Sequence, residues 1–196
     1  MSASLPTGPL DGQWRPEHPG VTLVLGLGNP LLGDDGIGWL VARRVADEMA
    51  ARDEVEVDWV ALGGLRLMER LVGYERAVLV DAASTGETGP GVVRTLTLDE
   101  LPERSAGRLG SPHDMSLAAA LALGRSLGAP LPERPLVVTV EAEPASEVGE
   151  GLSPLVAAAL PRATEAVLRL VRGDPSVSGL QTEIPARPVE ARVGNT

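Results

Sequence analysis

Two hydrophobic periods alternate along this chain. VTLVLGL (21–27) is an unbroken apolar run, as expected of a strand buried on both faces. From Gly36 to about Ala51, the positions Ile37, Leu40, Val41, Val45 and Met49 fall at helical spacing. EVEVDWVAL (54–62) alternates at period two and predicts a strand, and LRLMERLV (65–72) predicts a helix. RAVLVDAA (76–83) is a second buried-type strand. GVVRTLTL (91–98) follows the turn-rich STGETGP, which predicts an edge strand pairing locally. SLAAALALGRSLG (116–128) predicts a helix capped by Gly128, and PLVVTVEAE (135–143) the next strand. Ser153-Pro154 is an N-cap and first-turn pair for a last helix to about Arg172, which Pro161 should kink or divide. Strands separated by helices predict an α/β three-layer sandwich: a mostly parallel central sheet, an antiparallel edge strand, and helices on both faces.

Composition bounds the chemistry. The chain has 196 residues, enough for one α/β domain, read here as 21–172. Residues 1–20 form a Pro- and Gly-rich irregular leader, and 173–196 a polar tail expected to be disordered. The net charge is −10, there is no Cys, and all 17 basic residues are Arg. These absences exclude thiol nucleophiles, thiolate metal sites, lysine Schiff bases and a Walker A loop. An acidic chain with 2% aromatic residues is not built for nucleic acid. With no apolar run long enough to span a bilayer and no signal-peptide pattern, the expectation is a cytoplasmic protein without a membrane partner.

In such a sheet, ligands collect at the carboxyl ends of the strands. The first loop there is GLGNPLLGDDGIG (26–38). The plainer reading of its acidic pair is a helix cap by Asp34 or Asp35. A dinucleotide reading fits poorly, because Leu31 stands where a third glycine belongs and two carboxylates repel a pyrophosphate. The second loop carries Gly63 and Gly64 and taken alone is a turn. Asp81 ends a buried apolar run, and His113 sits just ahead of a helix, where a structural role is the plainer account. Glu141 and Glu143 read most simply as solvated loop carboxylates, and Arg43 and Arg44 as a solvated helix face. The weight comes from convergence. Asp35, Asp81 and His113 lie on three loops sent to one sheet edge, an O,O,N set suited to nickel, zinc or manganese with positions left open.

GLGNPLLGDDGIG, VDAAS and SPHDMSL, in this order and at these separations, resemble the hydrogenase maturation proteases, from about Val21 to Arg172. GLSP (151–154) also fits. These endopeptidases remove a C-terminal tail from the large-subunit precursor of nickel–iron hydrogenases. The resemblance implies that the family's metal-binding positions fall on Asp35, where an acidic residue that is often Glu stands, and on Asp81 and His113. It makes these three the catalytic residues and assigns Asn29, Gly63 and Gly64 to substrate binding. Many members carry D-G-G-T where this chain has Leu62-Gly63-Gly64-Leu65. The resemblance further implies that nickel is supplied by the precursor substrate, that no permanent cofactor is needed, and that the hydrogenase large-subunit precursor is the partner of a monomeric enzyme.

Other readings remain. A degenerate member would dock a hydrogenase subunit without cutting it, which Leu62 and Leu65 favour and the intact triad opposes. GLGNP also opens peptidyl-tRNA hydrolases, but residues 39–52 hold no His and the charge is wrong for tRNA. A Ser111–His113 nucleophile pair is awkward across Pro112.

Overall fold

The computed structural model describes residues 17–61, 63–101, 115–143 and 151–173. Five strands form one sheet: β1 (His18–Leu27), β2 (Val55–Val60), β3 (Tyr74–Ala83), β4 (Val93–Thr97) and β5 (Leu136–Glu141). Four helices connect them: α1 (Ile37–Met49), α2 (Gly64–Leu71), α3 (Leu117–Ser126) and α4 (Pro154–Val171). The sheet order is β2-β1-β3-β5-β4, parallel except for β4 against β5.

Strand alternation divides the core in two. Val24, Val78, Val80, Val138 and Val140 face α1 and α4, whose Val41, Val45, Ala163 and Val167 they meet. Leu23, Leu25, Leu27, Leu79 and Val137 face α2 and α3, through Leu67, Leu71, Leu117 and Leu121. The β1–α1–β2 crossover covers one face and β2–α2–β3 the other, so strand order reverses between β1 and β3. This is the switch point at which α/β sheets open a crevice beyond their carboxyl ends.

Three expectations need correction. The strand at 93–97 is an antiparallel edge strand, but β5 is inserted between it and β3, so its pairing is not local. Val137, Val138 and Val140 of β5 are fully buried on the two faces and take the inner place. Second, Pro161 does not divide α4, which is one helix from Pro154 to Val171. Pro161 and Ala157 both lie on the exposed face, so water can satisfy the carbonyl that proline leaves without its amide. Third, β1 begins at His18, inside the segment read as leader. The His18 amide donates to the Gly73 carbonyl at 3.1 Å. Its ring stacks on Tyr74 at 4.2 Å between centroids. Burial, reinforced by the neighbouring Glu56 carboxylate, pushes the Tyr74 phenol well above its ordinary value.

The cap at Gly128 has the expected form. Its φ is +81°, its amide donates to the Arg125 carbonyl at 3.0 Å, and the Ala129 amide reaches the Gly124 carbonyl at 2.9 Å. That pair of bonds is a Schellman closure of α3. Among the described residues, no helix is long and apolar enough to cross a membrane.

Candidate functional site

The loop after β1 is folded tightly on itself. Asn29 Oδ1 accepts from the Leu31 amide at 3.0 Å, and the Asn29 carbonyl accepts from the Leu32 amide at 3.0 Å. A 3-10 turn over Gly33–Gly36 then carries Asp34 and Asp35. Neither carboxylate caps α1, whose N-cap is Gly36 with no side-chain bond. Asp35 Oδ2 instead accepts from the Asn29 amide at 2.6 Å, which aims its side chain back across the carboxyl end of β1. Asp34 Oδ1 accepts from the Ser153 amide at 2.6 Å, joining this loop to the start of α4. One acidic pair therefore does two jobs: Asp34 ties the loop down, and Asp35 stays at the crevice.

Gly28 makes that geometry possible. Its φ is +119°, and a Cβ there would overlap the Asp35 carbonyl oxygen and come 2.9 Å from its carbonyl carbon. Gly38 plays a comparable part at the start of α1, where a Cβ would lie 2.9 Å from the Leu27 amide nitrogen. Without these glycines, the loop could not close over the strand end.

Asp81 is only 1% exposed, near the carboxyl end of β3. By alternation with Leu79, it lies on the α2/α3 face of the sheet. Its strand neighbours are β1, across the switch point, and Thr139 of β5 in register. Asp35, from the loop that follows β1, and Asp81, from β3, thus belong to the two strand ends that border the crevice. His113 lies outside the described residues, as do Ser111 and Leu62. Among the described residues, no three His, Asp or Glu side chains come together as a metal-binding group. Gly63 is the N-cap of α2 in an extended conformation, and Gly64, buried at φ +53°, starts the helix at the same edge. Asn29 spends its side-chain oxygen on the turn, so its observed work is to shape the loop that holds Asp35.

Glu141 is not the solvated carboxylate expected for this position. It is 4% exposed and accepts three hydrogen bonds: Oε1 from the amides of Thr85 (2.7 Å) and Gly86 (2.9 Å), and Oε2 from the Thr85 hydroxyl (2.8 Å). Register places it beside Ala83, on the same face as Asp81. The signal was present in the chain: LVVTVE ends in a carboxylate much as AVLVD does. Glu143 is exposed, as expected, and so are Arg43 and Arg44.

Around this edge, Leu31, Trp59, Leu65 and Leu155 are exposed, each in or beside a loop that leaves the carboxyl end of the sheet. They flank three separate loops at this end of the sheet, on both of its faces.

Residues 40–170 match a family model described as hydrogenase maturation protease. The chain is 31% identical over 150 residues to the hydrogenase 2 maturation protease of Escherichia coli K12, covering 76% of this chain and 90% of that one. It is 28% identical over 159 residues to the hydrogenase expression/formation protein HupD of Rhodobacter capsulatus, covering 81% and 73%. Among solved structures, the hydrogenase maturating endopeptidase HybD from E. coli superposes with a TM-score of 0.63 at 30% identity, over 84% of this chain and 97% of that one. The nickel–iron hydrogenase maturation protease HybD from Thermococcus kodakarensis gives 0.58 at 26% identity, over 77% and 99%.

Proposed function

The chain belongs to the hydrogenase maturation protease family and is an endopeptidase, and from that premise we propose that it removes the C-terminal extension of a nickel–iron hydrogenase large-subunit precursor once nickel has been inserted. The observation that carries the reading is the placement of Asp81, buried at the end of β3, across the switch point from the loop that aims Asp35 inward. In this reading Asp35, Asp81 and His113 engage the nickel that the precursor brings, so the metal belongs to the substrate and marks it as ready for cutting. Two carboxylates and an imidazole suit a borderline divalent ion.

Held by Asp35, Asp81 and His113, the precursor's nickel would polarise the scissile carbonyl or make a bound water more acidic. Water adds to the carbonyl carbon, its proton passes to a carboxylate, and the proton leaves with the departing amine as the C–N bond breaks. The chain's own part is to hold the carboxylates in place before substrate arrives. Asn29 and Gly28 do this for Asp35, and the two-sided packing of β3 does it for Asp81. The exposed rim of Leu31, Trp59, Leu65 and Leu155 meets the precursor surface around the cut.

The test mixes the chain with nickel-loaded and nickel-free precursor and follows product mass. Shortening is expected with nickel only, and Asp81→Asn or His113→Ala should slow it by orders of magnitude. Wild-type rates in either variant would overturn the metal-site assignment, and equal cutting without nickel would overturn the recognition step.

A further inference from the structure

Glu141 is a buried carboxylate for which the cleavage steps have no use. It closes β5 at 4% exposure, and its partners among the described residues are neutral: the amides of Thr85 and Gly86 and the Thr85 hydroxyl. The Ser84 hydroxyl on the Ala142 carbonyl and the Ala142 amide on the Ala83 carbonyl, both at 2.8 Å, complete the grip on the exit of β3. A strut of this kind needs no charge. A glutamine would accept from the same two amides with its carbonyl and donate to the Thr85 hydroxyl with its own amide. It would also cost less to bury, since an ionised carboxylate loses more on leaving water than a neutral amide does. What the carboxylate adds is a fixed negative charge.

That charge stands close to Asp81. In the parallel register Asp81 pairs with Thr139 and Ala83 with Glu141, so Glu141 lies on the same face as Asp81, one strand across and two residues along. With strands about 4.8 Å apart and a rise of about 3.3 Å per residue, the two Cα atoms are about 8 Å from each other. Asp81 is as deeply buried as Glu141, so the two charges act on each other through protein, where salt screens them little. Like charges so placed repel, and a dication at Asp81 turns that repulsion into attraction. Glu143, farther along the same segment, is exposed, and water and salt mute its charge. We propose that Glu141 sets the strength with which the crevice takes a divalent cation, and so the advantage of nickel-loaded substrate. It acts through its charge and not as a ligand, because the loop 84–86 already engages its oxygens. The inference rests on the reading of Asp81 as a nickel ligand and adds the residue that tunes it.

Calorimetric titration of the full chain with free nickel ion reads this without any cleavage. Glu141→Gln keeps the hydrogen bonds and drops the charge, and should weaken nickel binding about tenfold, the lower end of the range for groups just outside a metal's ligands. Thr85→Val loosens the strut and keeps the charge, and Glu143→Gln drops an exposed charge; each should stay within about twofold of wild type. In cleavage, the KM of Glu141→Gln for nickel-loaded precursor should rise in step with its weaker nickel binding. Nickel affinity unchanged in Glu141→Gln, or lowered as much in Thr85→Val or Glu143→Gln, would overturn the inference, as would a KM that does not follow. Asp81→Asn separates the two readings. Nickel binding lost there but unchanged in Glu141→Gln removes the role of the charge alone. Wild-type binding in Asp81→Asn, or none in the wild type, removes the ligand reading and this inference with it.

Discussion

Gly28→Ala tests how the Asp35 loop is held. Gly28 sits at φ +119°, where a side chain costs about 1–2 kcal/mol in backbone strain. The new Cβ would also lie 2.9 Å from the Asp35 carbonyl carbon and closer still to its oxygen, against the roughly 3.5–4.0 Å at which carbon atoms attract. Backbone cannot rotate away as a flexible side chain can, so the loop must retreat, at an overpacking cost of about 1–3 kcal/mol. The sum is about 2–5 kcal/mol. With a urea slope of about 2 kcal/mol/M, the middle of the usual range, the unfolding midpoint should fall by about 1–2.5 M. Gly173→Ala is the matched control. It too has a positive φ, +74°, but a Cβ there meets nothing within 4 Å, so only the strain of about 1–2 kcal/mol applies. Urea unfolding of both variants, with precursor cleavage alongside, separates the terms. Gly28→Ala should lose the larger share of stability and also cleave slowly, because the residue it displaces carries a proposed ligand. Equal midpoints, or full activity in Gly28→Ala, would refute the reasoning.

Two further outcomes follow from the hydrogen bonds. Asp34→Ala leaves the Ser153 amide without its carboxylate and should cost about 1.5–3 kcal/mol in urea unfolding, while Asp34→Asn, which keeps an oxygen acceptor, should recover part of the loss. At the end of β4, Glu100 Oε2 accepts from the Thr97 amide (2.7 Å) and hydroxyl (2.9 Å), and these bonds hold its carboxyl below the usual 4.5. A depressed folded value means stability present above the unfolded value and lost as pH falls through the folded one. Glu100→Gln should therefore flatten the stability profile below about pH 4.5, and identical acid limbs for the two proteins would count against the capping box.

What the sequence disclosed follows from how local each signal is. Every α-helix and every strand among the described residues announced itself through period and punctuation, since Ser153-Pro154 and Gly128 act on their own helices, whereas the two short 3-10 helices did not. The partner of β4 did not. Its antiparallel pairing with β5 joins segments about forty residues apart, and no property of GVVRTLTL distinguishes that neighbour from β3. Asp34 and Asp35 are adjacent and chemically identical. Only the fold, by bringing Ser153 to one and the Asn29 amide to the other, divides their roles. Glu141 was visible as a carboxylate closing an apolar strand, but its burial depends on donors from a loop more than fifty residues earlier. The extension of β1 back to His18 was hidden by Pro19 and Gly20, which punctuate a chain without always ending its pairing.

The tie between Asp34 and Ser153 spans 119 positions of sequence, and the one between Glu141 and Thr85 spans 56. Both loops at the crevice are thus braced by residues from the last third of the described chain, and β4 has no strand neighbour until β5 enters beside it. A chain emerging from the ribosome in order carries Asp35 and Asp81 into solution well before either brace exists. The ends of this sheet are completed late in synthesis, so a truncated or half-made copy presents Asp35 and Asp81 without the braces that hold their loops in place.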